Sequence, residues 1–203
     1  MDERARPLER DDLDPDPLRQ FDAWFREAHG AVRAPEAMAV ATATRDGAPS
    51  LRMVLLKSFD ERGFVFYSGY DSRKGRELAE NSRATLLLYW DPLGRQVRID
   101  GEVERVTAAE SEAYFHSRPR GAQLAALASR QSEVLDERDS LESRYAQLER
   151  ELEGKEVPLP DAWGGFRLVP DEYEFWQHRE NRMHDRFRYR RNRDGWTIER
   201  LSP

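Results

Sequence analysis

Cysteine is absent from the 203 residues of the chain, and histidine occurs only four times. Without cysteine there is no disulfide, no thiolate metal site and no cysteine nucleophile, and four histidines give little support for a structural zinc site. We therefore expect no metal centre. Redox chemistry, if the protein performs it, needs a bound cofactor.

Long apolar runs are also missing, and the charged N-terminal residues MDERARPLERDDLDPDPL contain no apolar signal region. No uncharged stretch is long enough to cross a bilayer, so we expect a cytoplasmic protein. The net charge of -6 combines 33 basic with 39 acidic residues. This balance favours neither a nucleic-acid partner nor an anionic membrane, and any anion site must be local.

The short motifs of nucleotide-binding loops and of common hydrolases are absent as well. The sequence has no G-x-G-x-x-G after a strand, no P-loop, no G-x-S-x-G and no H-E-x-x-H. A function must therefore be inferred from residues that are dispersed along the chain.

The sequence does contain a series of short segments that are rich in β-branched and aromatic residues. In chain order from residue 37 to residue 201 they are AMAVATAT, SLRMVLLKS, GFVFYS, ATLLLYW, RQVRIDGEVERV, FRLV, YEFWQ, RFRYRR and WTIERL. The pairs Asp46-Gly47 and Asp194-Gly195 mark tight turns between neighbouring segments. At least eight or nine antiparallel strands in so short a chain predict a closed barrel within one α+β domain.

Four helices are predicted before or between these strands. Their ranges are Leu18–His29, residues 73–81 behind the N-cap Ser72, residues 108–117 behind a capping box of Thr107 and Glu110, and Asp139–Leu152 behind a second box of Asp139 and Glu142. The apolar stripe of the last helix should pack in the core or at a dimer contact. Residues 1–17 are charged and proline-rich, so we expect a flexible arm there and one domain over residues 18–203.

Cationic side chains occur at several places that could hold an anion. Arg73 and Lys74 follow Ser72 in a first helical turn, where free backbone N–H groups and the helix dipole already favour an anion. A phosphate would supply the missing negative charge, but an ordinary exposed pair would look the same. Arg52 and Lys57 lie towards the two ends of an apolar strand and point to opposite faces.

Two further cationic stretches are YFHSRPR and EFWQHRENRMHDRF. Arg118 and Arg120 lie at a helix C-terminus, where the dipole alone explains positive charge. His116 and His184 are candidates for general bases and equally for structural residues. Residues 174–187 taken alone fit a solvated charged strand as well as a binding site.

In their order and spacing, a set of these segments resembles the pyridoxamine 5'-phosphate oxidase family. The segments are RMVLLK, FYS followed by SRKGRELAEN, RQVRIDGEVERV, YFHSRPR, SRQS, VPLPDAWGGFRL, and EFWQ with NRMHDRFRYRR, so the likeness runs from about Asp16 to Pro203. The resemblance implies an antiparallel FMN-binding split β-barrel with peripheral helices. It also implies a homodimer with a C-terminal dimerisation region, in which both chains contribute residues to two flavin sites at the interface.

The resemblance implies specific site residues too. FMN contacts fall on Arg52, Met53, Val54, Leu55, Leu56, Lys57, Tyr67, Ser68, Arg73, Lys74, Gln96, Gln131, Ser132, Trp176 and Arg186. Substrate contacts fall on Lys57, Tyr114, Arg118, Arg182, Met183 and His184. Arg182 and His184 are implied as the catalytic pair beside the reacting carbon.

The implied reaction, a step of pyridoxine biosynthesis, is the FMN-dependent oxidation of pyridoxamine or pyridoxine 5'-phosphate to pyridoxal 5'-phosphate, with O2 reduced to H2O2. Ala122 stands where the family commonly has a phosphate-binding serine, and the N-terminal arm is short. Two alternatives therefore stay open. One is a related flavin oxidase that acts on a different ring, such as a phenazine-type precursor or another pathway intermediate. The other is a non-catalytic flavin or pyridoxal-phosphate carrier, which Arg182 and His184 argue against, because a carrier has little need of groups beside the ring.

Overall fold

The computed structural model describes residues 6–203, and within them the chain forms nine β-strands and five α-helices. The strands are β1 (Ala37–Ala43), β2 (Pro49–Leu55), β3 (Ser58–Asp60), β4 (Gly63–Gly69), β5 (Arg83–Trp90), β6 (Arg95–Arg105), β7 (Trp163–Gln177), β8 (Asp185–Asn192) and β9 (Gly195–Leu201). The helices are α1 (Pro17–Ala31), α2 (Arg73–Glu80), α3 (Ala108–Ser117), α4 (Arg120–Ala128) and α5 (Arg138–Glu151).

The strands form one antiparallel sheet with the order β2-β1-β5-β6-β7-β4-β3, to which β8 is added beside β7 and β9 beside β8. β7 has 15 residues. Its first half pairs with β4, its second half with β8, and β6 runs along both halves. The predicted strands FRLV and YEFWQ are therefore parts of one strand.

A bulge at Asp171 of β7, which has no partner in β6, lets these two long strands stay paired. The register between β6 and β7 shifts beside Gly101, which lies opposite Pro170. A Cβ added at Gly101 would lie 2.1 Å from the carbonyl oxygen of Val169. Glycine is required there because the two backbones approach so closely.

The first and last strands in this order, β2 and β3, follow one another directly in the chain. The backbone N–H of Leu56 donates to the carbonyl of Glu36, before β1, and that of Lys57 donates to Val65 of β4, each at 2.8 Å. The chain changes its pairing partner between these two residues, which curls the sheet. Within residues 6–203, β2 itself forms no ladder with β4. The expectation of a fully closed barrel is therefore wrong here, and the split between β2 and β4 leaves room for a cavity.

Aromatic residues fill the barrel and its contact with α1. The ring of Phe21 packs edge-on against Phe64 of β4 at 4.9 Å, and that of Trp24 packs edge-on against Phe175 of β7 at 5.2 Å. All four side chains are buried. Such aromatic burial is the main stabilising contribution of α1 to the domain.

The N-terminal segment also contributes to this core. Leu8 and Leu13 are buried in it, and the backbone N–H of Leu8 donates to Asp185 at 3.1 Å. α1 begins at Pro17, and the Asp16 side chain caps it. Residues 1–5 of the predicted flexible arm lie outside the described residues, and the arm's flexibility stays a prediction.

Two of the predicted helix starts are confirmed and one is wrong. Ser72 caps α2, and Thr107 forms the predicted capping box with Glu110 at α3. α5 instead begins behind Glu137, which makes no side-chain cap, so the capping box predicted two residues later does not form. None of the helices in residues 6–203 is both long and apolar enough to cross a membrane.

α4 has no counterpart in the sequence-based prediction. Pro119 follows the end of α3, but it is also the N-cap residue of α4, so the proline separates two helices rather than a helix and a loop. The helices α3, α4 and α5 pack around a second small core of Phe115, Leu124, Leu148 and Val157. The apolar stripe of α5 faces this core, which fixes the end of α3 beside the barrel.

Candidate functional site

A cavity of about 1350 Å³ lies at the split between β2 and β4. The start of α2, the end of α3 and the loop after α4 complete its wall. Most residues implied by the resemblance line it, and we call them the cavity group: Arg52, Met53, Val54, Leu55, Lys57, Tyr67, Ser68, Arg73, Lys74, Tyr114, Arg118, Gln131 and Ser132. Leu56 instead has its side chain buried in the barrel core.

Lys74 is a buried cation of the cavity group, with 4% of its surface exposed. Its ammonium donates hydrogen bonds to Ser68 Oγ at 2.7 Å, Ser72 Oγ at 3.1 Å and Gln131 Oε1 at 3.2 Å. Burial lowers the pKa of Lys74 to about 8, and the charge of Arg52 acts in the same direction. None of the three acceptors is charged, so the ammonium retains positive charge for a ligand.

The carboxylate of Glu77 lies between the cations of β2 and those of α2. The hydroxyls of Thr42 and Ser50 donate to it, Arg73 Nε donates at 2.9 Å, and Arg52 Nη2 lies 3.4 Å away. Burial acts to raise the pKa of Glu77, but the hydrogen bonds and the Arg52 charge lower it to about 2. Glu77 is therefore ionised at neutral pH and fixes both guanidinium groups beside the cavity.

The start of α2 consequently carries a surplus of positive charge. Arg52, Arg73 and Lys74 outnumber Glu77, and the free N–H groups of the helix add to their field. A phosphate monoester, with a charge of about -1.5 to -2 at pH 7, complements this surplus. The burial of Lys74 favours a phosphate site over an ordinary exposed pair, although the Arg73 side chain is 58% exposed.

Tyr114 of α3, Arg118 directly after its end, and Lys57 line another part of the cavity. The Tyr114 ring stacks on Tyr67 with 3.9 Å between centroids. Arg118 Nη2 donates to the carbonyl of Ala122 at 2.8 Å, whereas its buried Nη1 has no hydrogen-bond partner within residues 6–203. Burial lowers the pKa of Arg118. An unpaired buried donor is costly, so an anionic ligand would be favoured beside it.

Trp163 and Ala122 are two of the positions at which the lining of the cavity differs from the sequence-based interpretation. Trp163, the first residue of β7, lines the cavity although no role was predicted for it. Its only signal in the sequence is its place in the segment VPLPDAWGGFRL. Ala122 is not among the lining residues, and its contact with Arg118 is through the backbone carbonyl.

Besides Leu56, six implied residues do not line the cavity, and we call them the strand group: Gln96, Trp176, Arg182, Met183, His184 and Arg186. Gln96 lies opposite Trp176 across β6 and β7, and Trp176 lies opposite Arg186 across β7 and β8. Directly opposed residues share one face of a sheet, so these three form a row. Within one chain, the residues implied for a single site therefore lie in two places.

A short 3₁₀ turn, Glu180–Arg182, connects β7 to β8 and carries part of the strand group. Asn181 and Arg182 have φ values of 55° and 62°, in the left-handed region that non-glycine residues seldom adopt. Such backbone costs on the order of 1–3 kcal/mol per residue and often marks functional segments. Ser132 of the cavity group, with φ at 73°, is the third non-glycine residue in this region among residues 6–203.

His184 is held in one orientation beside this turn. Its Nδ1 accepts a hydrogen bond from the backbone N–H of Arg179 at 3.1 Å, and its ring lies 4.5 Å from that of Trp176. Burial lowers the pKa of His184, and the charges of His178 and Arg182 act in the same direction. The ring is therefore neutral at pH 7, with its proton on Nε2. In the described part of the chain, no three His, Asp or Glu side chains are grouped to hold a metal ion.

Comparison with known proteins places this chain in a family. A family model described as pyridoxamine 5'-phosphate oxidase matches residues 25–150, and a model described as the pyridoxine 5'-phosphate oxidase C-terminal dimerisation region matches residues 163–203. The chain belongs to the pyridoxamine 5'-phosphate oxidase family. The family predicted from the dispersed segments is thereby confirmed.

Individual members of the family are similar over nearly the whole chain. The pyridoxine/pyridoxamine 5'-phosphate oxidase of Rubrobacter xylanophilus is 56% identical, over 97% of this chain and 91% of its own length. That of Salinibacter ruber is 53% identical, over 97% and 93%. The high coverage excludes a match restricted to one shared segment.

Solved structures confirm the split-barrel prediction. PhzG from Burkholderia lata 383, in complex with tetrahydrophenazine-1-carboxylic acid, has a TM-score of 0.92 and 36% identity, covering 98% of this chain and 99% of its own. A pyridoxamine 5'-phosphate oxidase-related, FMN binding protein from Nostoc punctiforme has a TM-score of 0.72 and 16% identity, covering 94% and 100%. The second similarity concerns the fold alone.

Proposed function

We propose that this protein is an FMN-dependent oxidase that converts pyridoxamine or pyridoxine 5'-phosphate to pyridoxal 5'-phosphate and reduces O2 to H2O2. The observation that carries the proposal is that one cavity contains two separate sets of phosphate donors, one at the start of α2 and one at the end of α3. The first set suits the phosphate of FMN and the second that of the substrate. The names of the curated relatives support the same reaction.

The cavity group has the donors and the apolar surface that FMN needs. Arg73, Lys74 and the N-terminus of α2 would hold its phosphate. The side chains of β2, including Met53 and Leu55, would pack against its ring. When bound, FMN supplies the two-electron acceptor for the oxidation and the donor for O2. The protein contributes binding, orientation and the exclusion of water.

We propose that the active form is a homodimer, in which the strand group of one subunit completes the cavity of the other. Leu51, Met53 and Leu55 on β2 are 68%, 65% and 42% exposed in a single chain, and they lie at the rim of the cavity. An exposed apolar row of this kind favours burial by another chain. The match of residues 163–203 to a dimerisation region supports the same arrangement.

The substrate would be oriented from both of its ends. Lys57, Tyr114 and Arg118 would bind its phosphate, and Arg182 and His184 of the second subunit would contact its ring. Because His184 is neutral with its proton on Nε2, it would donate a hydrogen bond rather than act as a strong base. Rate enhancement would come from orientation and electrostatics. The cytoplasmic location belongs to this proposal and stays a prediction.

The visible absorption spectrum tests the proposal directly. We expect the purified protein to be yellow and dimeric with one FMN per chain, and anaerobic pyridoxine 5'-phosphate to bleach the flavin band. Admission of air should restore the band and release H2O2. A protein that stays colourless after incubation with FMN, or a flavin band that pyridoxine and pyridoxamine phosphates leave unchanged, would contradict it.

A second candidate is oxidation of a different ring. It is favoured by the similarity to PhzG, which was solved with tetrahydrophenazine-1-carboxylic acid, and by alanine at position 122. The same anaerobic experiment with reduced phenazine carboxylates separates the two candidates. Bleaching by such a compound, without bleaching by either phosphorylated vitamer, would replace the first candidate with the second.

A further inference from the structure

The cations of the site differ in what stabilises their charge. Arg52 and Arg73 pair with the carboxylate of Glu77, and Arg186 donates to Glu174 at 2.7 Å. The guanidinium of Arg118 instead lies over an aromatic ring, with its central carbon 4.8 Å from the indole centroid of Trp163. This arrangement is a cation–π contact.

Cation–π stabilisation has a particular consequence for an anion site. A carboxylate neutralises an arginine and competes with a phosphate for its N–H groups. An indole face lowers the energy of the guanidinium without occupying any N–H group. Arg118 therefore keeps its full charge, and one buried nitrogen still lacks a partner among residues 6–203.

The indole of Trp163 is itself held firmly. Its ring is nearly parallel to those of Tyr114 and Tyr67, at interplanar angles of 5° and 16° and centroid distances of 6.2 and 5.6 Å. The backbone of Trp163 pairs with Gly69 at the end of β4. Two residues after Trp163, a Cβ added at Gly165 would lie only 2.8 Å from the Tyr67 ring. Because the backbone and this ring are already so close, the start of β7 has little freedom to shift.

We propose that Trp163 is a positioning residue for the substrate's phosphate, because its indole holds the Arg118 guanidinium at the cavity in a charged, uncompensated state. The inference rests on the proposed function, since it takes the ligand of Arg118 to be the phosphate of a pyridoxal-type substrate. It also gives Trp163, a large aromatic residue for which no role was predicted, a function in the wall of the cavity.

The test compares ligands with and without a phosphate. Trp163→Leu should weaken the binding of pyridoxal 5'-phosphate, measured by calorimetry on the FMN-loaded protein, by roughly two- to thirtyfold. Binding of unphosphorylated pyridoxal should change little. In turnover, KM for pyridoxine 5'-phosphate should rise by a similar factor while kcat stays near the wild-type value. Trp163→Phe should lie between the two proteins, because indole is the best of the aromatic faces for a cation.

Two controls separate positioning from general damage. Trp196→Leu removes another tryptophan with an arginine nearby, Arg191 at 5.8 Å, but outside the cavity, and should leave both ligands unaffected. In an Arg118→Ala background, Trp163→Leu should cause no further loss of pyridoxal 5'-phosphate binding. Additive losses in this double variant would mean that the indole acts independently of Arg118.

The proposal is overturned if Trp163→Leu binds pyridoxal 5'-phosphate as wild type does, or if phosphorylated and unphosphorylated ligands weaken equally. If Trp163→Leu does not retain FMN, the same comparison is decided by Trp163→Phe in both the wild-type and Arg118→Ala backgrounds. Failure of the proposed function gives a different result. The wild-type protein would then oxidise neither phosphorylated vitamer, while the calorimetric comparison would still show whether Trp163 supports phosphate binding at Arg118.

Discussion

The cavity group and the strand group contain similar residue types but differ in how complete they are within one chain. The cavity group lies around one space, with Lys74 and Arg118 directed to uncharged partners. In the strand group, Arg186 is tied to Glu174, and His184 is bonded to a backbone N–H. The cations of the first group therefore retain charge for an anion, whereas Arg186 of the second is already paired; in the proposed homodimer the second group would complete the cavity of the other subunit. Two half-sites of this kind are what a shared dimeric site requires.

The prediction with the largest expected effect tests whether the donors at the start of α2, and not those at the end of α3, bind the phosphate of FMN. Arg73→Ala combined with Lys74→Ala should weaken FMN binding by about 3 to 6 kcal/mol, since two charge-assisted contacts of about 1.5 to 3 kcal/mol are removed. The exposure of Arg73 favours the lower figure. Fluorescence titration of the apoprotein measures the change, with riboflavin as the ligand that lacks a phosphate. An unchanged FMN affinity would place the phosphate away from α2.

Mixed dimers test whether the two groups meet across an interface. A cavity variant, Arg73→Ala with Lys74→Ala, and a strand variant, Arg182→Ala with His184→Ala, should each be nearly inactive at limiting FMN. Dimers formed from one chain of each contain one intact site, so a random mixture should recover about a quarter of wild-type activity. As a control, a mixture of the cavity variant with Arg118→Ala should show no gain over the two separate proteins, because every site then contains a substituted cavity. Equal activities in the two mixtures would contradict a shared site.

The pH dependence of FMN binding probes Lys74 alone. Its pKa of about 8 in the free protein should rise when a phosphate binds, so binding takes up a proton above pH 8. The dissociation constant of FMN should be flat near pH 7 and increase by up to about tenfold per pH unit above 8. Lys74→Arg should remove this increase because arginine stays protonated. An identical increase for Lys74→Arg would show that another group titrates.

The smallest expected effect concerns Ala122. A hydroxyl introduced by Ala122→Ser should lower KM for pyridoxine 5'-phosphate by at most about tenfold, as one neutral donor contributes roughly 0.5 to 1.5 kcal/mol. The value of kcat should be less affected, since the added contact is the same in the ground and transition states. Because Ala122 does not line the cavity, an unchanged KM would show that α4 is too distant for the hydroxyl to act.

Most of the fold could be predicted from local patterns. The content of β-branched and aromatic residues and the Asp46-Gly47 turn suffice for β1 and β2, and the hydroxyls of Ser72 and Thr107 mark two helix starts. α4 was not predicted, because Pro119 is compatible with both a helix end and a helix start. That β7 is a single strand was not predicted either, since Pro170 suggests a break, and only the bulge at Asp171 of β7 itself allows the pairing with β6 to continue.

The candidate site was less accessible to the sequence. Cations at 52, 73 and 74 are visible in it, and Arg73 and Glu77 have the i,i+4 spacing of a helical ion pair, but nothing local shows that Glu77 also pairs with Arg52. The role inferred for Trp163 depends on residues 45 or more positions away in the chain. Contacts of this separation are set by how the strands close around the core and leave no periodic signal.

By itself, the sequence determined the strands, most of the helices and the family, because backbone preferences, turn residues and the order of short segments are local properties. Tertiary structure alone decided where the barrel stays open, which cations keep uncompensated charge, and that the residues implied for one site lie in two places of a single chain. These outcomes depend on burial and on the distance between groups far apart in the chain. A lysine or arginine acquires its chemical character from the partners that folding places around it.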